Sequence, residues 1–148
     1  EKANIELVKK FNELAPNREK IVENHCIKVL DRDIITRYHT DDVAWFEFLA
    51  LCDAPRSAFD YVEISKVFHA LVVSDIPQFE EKNEDKARRF VNLIDELYDR
   101  RVKLIVSAEV SISDLYKGKR LVFEFKRTES RLLEMQSRDY LGAAHSAN

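Results

Sequence analysis

The sequence predicts an α/β fold, a mostly parallel sheet with helices on both faces, preceded by a helix and a small β-hairpin. Three observations carry this. From residue 43 onward, short runs rich in Val, Ile, Leu and Phe alternate four times with helical segments, the mark of βαβ units. Runs such as ALVVSD and VKLIVSA are continuously apolar, as in parallel strands buried on both faces. Before residue 43 the period is different: a helical pattern is followed by a β-branched stretch broken by a polar turn.

Taken in order, Ile5, Leu7, Val8, Phe11 and Leu14 recur at spacings of three and four and predict an amphipathic helix over 3–14, closed by Pro16-Asn17. KIVENHCIKVLDRDIITRYHT then reads as a hairpin with LDRD at its turn. VAWFEF, from Val43, is a buried strand; a polar connection from Asp53 to Ser57 leads to a helix from Ala58 to His69. ALVVSD forms the next strand, stopped at Asp75 and Pro77. A strong helix follows from Glu84 to Arg101, with Ala87, Phe90, Val91, Ile94, Leu97 and Tyr98 as the stripe that packs on the sheet. Its other face carries Glu84/Arg88, Asp85/Arg89 and Glu96/Arg100, each pair contributing a few tenths of a kcal/mol. VKLIVSA is another buried strand, ISDLY a short helix, and LVFEF a strand that runs into a last helix. The organisation expected is 1–42 as a helix plus hairpin subdomain, 43–141 as the α/β domain, and 142–148 as a frayed tail.

Composition narrows the function classes. A chain of 148 residues with 45% hydrophobic side chains forms a real core. Its 24 basic and 27 acidic residues are interspersed at a net charge of −3, so no phosphate-backbone footprint exists and nucleic acid is not an expected partner. Cys26 and Cys52 have no CxxC spacing and make no zinc set with His25, His39, His69 and His145; reduced thiols in an intracellular protein fit best. No apolar run approaches the ~20 residues that span a bilayer. The chain starts at Glu1, without Met and already in a helical pattern, which leads to the expectation of a piece of a longer protein.

Candidate chemistry is sparse. Asp75 ends an apolar strand, where open α/β sheets place ligands and P-loop ATPases keep a magnesium-binding acid; the plainer reading is a turn before Ile76-Pro77. No GxxxxGK[ST] occurs, so no standard phosphate cradle exists in these residues. His69 reads as a helix-end cap, Trp45 as core, and Ser107 lacks a GxSxG turn, which leaves a hydrolase built on Asp75 and His69 without a nucleophile and base pair. Arg88 and Arg89 are solvated helix charges or a partner contact. Arg127 and Arg131 stand where LVFEF meets the last helix, in a first turn that disfavours cations. Two explanations stay open: structural ion pairs, Arg131 with Glu134 and Arg127 with Glu124, or contact with an anion or partner.

DKARRFVNLIDELYDRRVKLIVSAE, followed by FEFKRTESRLLEMQSRDYL, resembles the carboxyl-terminal region of the ZapE family, AAA+-like ATPases of bacterial cell division with mitochondrial relatives of the Afg type. The match runs from about Ala44 to Leu141 and includes Ala44-Trp45-Phe46, Asp60-Tyr61, Phe68-His69, Ile76-Pro77 and Ser130-Arg131-Leu132. Glu129 and the Asp53 to Phe59 connection depart from the family pattern. The resemblance implies an intact protein with a P-loop upstream, using ATP and Mg, with no cofactor held by this fragment. It further implies a degenerate P-loop-like half in which Asp75 mimics a magnesium-binding acid and Ser107 a sensor. Arg131, helped or replaced by Arg127, becomes the candidate arginine finger reaching a neighbouring subunit's nucleotide. The implied role is a carboxyl-terminal domain that supports subunit assembly; the alternative is a non-catalytic module recruiting a division or membrane client. Implied partners are the amino-terminal ATPase domain, further copies of the protein, and FtsZ. The implied location is cytoplasmic, at the inner face of the bacterial membrane, or mitochondrial.

Overall fold

In the computed structural model, residues 2–15, 21–53 and 57–147 are described. Pro16-Asn17 and most of the Asp53 to Ser57 connection lie outside them. The elements are α1 (Lys2–Leu14), β1 (Val22–Val29), β2 (Arg32–His39), β3 (Val43–Glu47), α2 (Phe48–Cys52), α3 (Ala58–Val67), β4 (Ala70–Ile76), α4 (Glu84–Asp99), β5 (Lys103–Ala108), α5 (Val122–Glu134) and α6 (Arg138–Gly142).

The five strands form one sheet in the order β1-β2-β3-β4-β5. β1, β2 and β3 pair antiparallel, and β3, β4 and β5 pair parallel. The hairpin joins the parallel part through Tyr38 opposite Trp45 and His39 opposite Ala44. Its two-residue loop holds Leu30 at φ 49° and Asp31 at φ 67°, the two left-handed residues that a twisted hairpin turn requires.

Side-chain alternation divides the core into two layers. On one face Val43, Trp45, Ala70 and Val72 pack against Leu7, Phe11 and Ala15, so α1 and the residue after it cover this side. On the other, Ala44, Phe46, Leu71 and Val73 meet the apolar stripes of α2 to α5. Trp45 is wholly buried, and its indole N–H donates to Ser74 Oγ at 2.9 Å. Phe48, Phe79, Phe90 and Phe125 form a connected aromatic cluster beneath α4 and α5.

Four sequence expectations are corrected. LVFEF is not a strand: Val122 to Glu134 is continuous helix, because Leu121, Phe125, Thr128, Leu132 and Met135 recur at helical spacing and are all buried. The strand alternation therefore runs through three parallel strands and not four. Phe48 opens α2 instead of ending β3, and within ISDLY only Ile112–Asp114 is helical, as a 3-10 turn. The long helix stops at Asp99, two residues earlier than its pattern suggests. Val102 N–H donates to Leu97 O and Arg101 N–H to Tyr98 O, a Schellman cap with Arg101 at φ 58° in the position glycine usually takes.

Residues 143–147 run back over the ends of α3 and α4. Ser146 N–H donates to Arg100 O, Lys103 Nζ donates to Ala143 O, and His145 Nε2 lies 2.7 Å from Ser65 O.

Candidate functional site

Moving the start of α5 back to Val122 changes what its arginines mean. Arg127 lies in the middle of the helix and Arg131 in its last turn, where the helix dipole favours a cation. Both reach the same acceptor on the neighbouring helix. Arg127 Nη2 donates to Asp95 Oδ2 at 3.0 Å, and Arg131 Nη1 donates to Asp95 Oδ1. The Arg131 guanidinium also lies over the Tyr98 ring, 4.8 Å from its centroid. Tyr98 in turn donates its hydroxyl to Glu134 Oε2 at 2.6 Å. That bond, with burial and the Glu134 charge, pushes the phenol upward from its ordinary value, although Arg101 opposes it.

Helical spacing explains the convergence: Asp95 and Tyr98 are three apart on α4, while Glu124, Arg127, Arg131 and Glu134 form one stripe on α5. The expected Arg127–Glu124 and Arg131–Glu134 pairs do not form. Glu124 instead receives Arg88 Nη1 at 3.3 Å, so α4 and α5 are tied at both ends. Asp95 was missed because the sequence pattern offered nearer carboxylates for each arginine.

Arg88 and Arg89 part company. Arg88 is half exposed on this seam, whereas Arg89 turns toward α2 and donates to Cys52 O at 2.9 Å and Asp53 O at 3.3 Å, satisfying carbonyls at that helix end. Asp85 lies 3.6 Å from Arg89, and Glu96 meets Arg100 at 2.8 Å, as their spacing predicts. The predicted Glu84/Arg88 pair is replaced by a different contact.

Glu84 organises the loop before α5. Its carboxylate accepts from Tyr116 Oη at 2.6 Å, Lys119 N at 3.0 Å and Arg120 N at 2.7 Å. Partial burial opposes its charge, but these three donors and the charge of Arg120 outweigh it and hold the group below the usual carboxylate range. A Cβ on Gly118 would lie 2.4 Å from Glu84 Oε1 and 2.8 Å from Tyr116 Oη, so a side chain there would displace both from their present contacts. One of only two glycines in the chain, placed just after Tyr116, was the available signal.

The residues singled out at the strand ends are also adjacent. Asp75, Ser107 and Glu109 border an open cleft of about 300 Å³ beyond the carboxyl ends of β4 and β5. Asp75 sits at φ 63° within the irregular pairing of the two strands, and its N–H donates to Ser107 Oγ at 2.9 Å. His69 follows α3, donates its N–H to Asp42 O at 2.7 Å, and packs its ring 4.6 Å from that of His145. Among the described residues no group of three or more His, Cys, Asp or Glu side chains is arranged to hold a metal ion.

The AFG1-like ATPase family model matches residues 1–144. The chain belongs to that family. The cell division protein ZapE of Escherichia coli K12 is 49% identical over 100 residues, covering 68% of this chain and 27% of its own length. An uncharacterized protein of Schizosaccharomyces pombe is 34% identical over 143 residues, covering 78% of this chain and 32% of its own. The lactation elevated protein 1 homolog B of Danio rerio is 27% identical over 162 residues. This chain therefore spans roughly a quarter to a third of the curated relatives it matches. No solved structure matches it.

An ATPase family implies a nucleotide with magnesium, and the polar turn among the described residues that most resembles an anion site does not fit one. The chain has no glycine-rich phosphate loop. The turn at Gly118, whose following amides point inward, is filled by the Glu84 carboxylate. Among the described residues no helix is long and apolar enough to cross a membrane.

Proposed function

We propose that this chain is a non-catalytic assembly region of an AFG1-like ATPase involved in cell division, which works beside nucleotide-binding parts of a longer protein. The observation that supports this reading best is the engagement of Arg127 and Arg131 by Asp95 of the same chain. In this reading the two arginines clamp α5 to α4 and fix the surface that α5 presents to its partners: the ATPase part of the protein, further copies, and a division-ring client such as FtsZ.

A second reading, Arg131 as an arginine finger in trans, is favoured by one feature. Two guanidinium groups share a single carboxylate, so Arg127 can keep Asp95 while Arg131 turns to a phosphate.

Titration of the 148-residue chain with a fluorescent ATP analogue and magnesium tests the first reading. No saturable binding up to millimolar concentration is expected. Saturation in the micromolar range would make this region a nucleotide site in its own right and overturn the assignment.

A further inference from the structure

The two edges of the sheet are built differently. β1 is blunted: Glu23, His25 and Lys28 are exposed along it, and Asn24 at φ 49° interrupts the extended backbone. β5 carries the sequence KLIVSA, and no described strand pairs with its outer side. In a parallel strand the N–H and C=O of one residue point the same way, and alternate residues face opposite sides. Lys103 N–H donates to His69 O and Glu109 N–H to Ile76 O, so odd-numbered residues face β4. The backbone groups of Leu104, Val106 and Ala108 therefore point outward.

Resting on the assembly reading above, we propose that a second copy of this chain pairs with this edge, β5 against β5 in antiparallel register about a two-fold axis at Val106. Only outward-facing residues can exchange hydrogen bonds, which restricts the register to even-with-even pairing. Among such registers, centring on Val106 matches all three outward residues, Leu104 with the partner's Ala108 and Val106 with itself. It also brings Lys103 opposite the partner's Glu109 at each end, an opposite-charge pair repeated twice by symmetry. Both side chains have capacity to spare. Lys103 Nζ donates to Ala143 O and carries two further protons, while Glu109 is exposed and, among the described residues, accepts from Gln78 N at 3.5 Å. Registers displaced by two residues place Lys103 opposite a serine of the partner, at position 107 or 111, and leave one outward residue unpaired.

Sedimentation velocity of the chain over a concentration series, compared with Lys103→Glu, Glu109→Lys and the double variant, tests this. The expected result is a reversible dimer weakened roughly tenfold or more by either reversal, since each places like charges opposite one another at both ends. The double variant should restore it. Lys103→Glu also removes the contact with Ala143 O, but loss of that contact would not be repaired by Glu109→Lys, so rescue separates pairing from simple destabilisation. A dimer indifferent to all three variants would overturn the β5 interface and leave the assembly reading standing on another face. A monomer at every concentration would overturn both the interface and self-association of this region.

Discussion

Replacing Asp95 by alanine removes the one carboxylate on which two α5 arginines converge, and its cost follows from how shielded each contact is. The side chains of Asp95 and Arg131 are 23% and 25% exposed, and that of Arg127 is 44% exposed. A shielded charge-assisted hydrogen bond contributes about 1.5–3 kcal/mol and an exposed ion pair about 0.2–1 kcal/mol. The Arg131 contact belongs near the lower end of the first range and the Arg127 contact in the second. Their sum is roughly 2 kcal/mol, and for a domain of this size each kcal/mol lowers Tm by about 2–4 °C. A calorimetric melt at pH 7 should therefore show Asp95→Ala about 4–8 °C below the parent chain. Arg131→Ala should cost more than Arg127→Ala, because Arg131 is more shielded and also lies on the Tyr98 ring, a contact that contributes about 0.5–1 kcal/mol. Asp95→Ala staying within about 0.5 kcal/mol of the parent, the range of ordinary surface changes, would mean that Asp95 does not hold the two arginines, and a more damaging Arg127→Ala would mean that shielding does not rank them.

Other outcomes follow from the loop before α5 and from the hairpin. Gly118→Ala should lower stability by about 1–2 kcal/mol in chemical denaturation, because the new Cβ displaces the Glu84 carboxylate from its donors; a neutral result would mean that Glu84 does not hold this loop. Glu84 is held below its unfolded value of about 4.3, so its stabilisation is complete above that pH and is lost as pH falls through the lower folded value. Glu84→Gln should accordingly flatten the acid limb of the stability profile in that window, and an unchanged limb would count against the assignment. Leu30→Gly relieves a left-handed leucine on an exposed turn and should raise stability by about 1 kcal/mol, read as a higher denaturation midpoint.

Much of the sheet was legible because its apolar runs are short, continuous and bounded by turn residues, and because Ala87 to Tyr98 can only be a helical stripe. What escaped did so for identifiable reasons. LVFEF is β-branched and aromatic and alternates over five residues, yet its two buried members, Leu121 and Phe125, also lie four apart, so the same letters satisfy both periods. The following turns, through Thr128, Leu132 and Met135, settle the matter, and a window limited to the segment does not include them. The end of α4 was overrun because Arg101 takes a left-handed cap without the glycine that normally announces it. For the candidate site, both arginines were visible but their acceptor was not. Asp95 lies 32 and 36 residues away from them, and only the packing of α5 on α4 joins the three.

The most direct measurement of the clamp is steady-state ATP turnover of the longer ATPase proposed to carry this region, with Arg131→Ala and Asp95→Asn compared at a temperature where both remain folded. Because both variants cut the same contact, they should change turnover together, in the same direction and by a similar factor. A loss of about a hundredfold or more in Arg131→Ala alone, with Asp95→Asn at the parent rate, is the size expected for a transition-state cation and would contradict it.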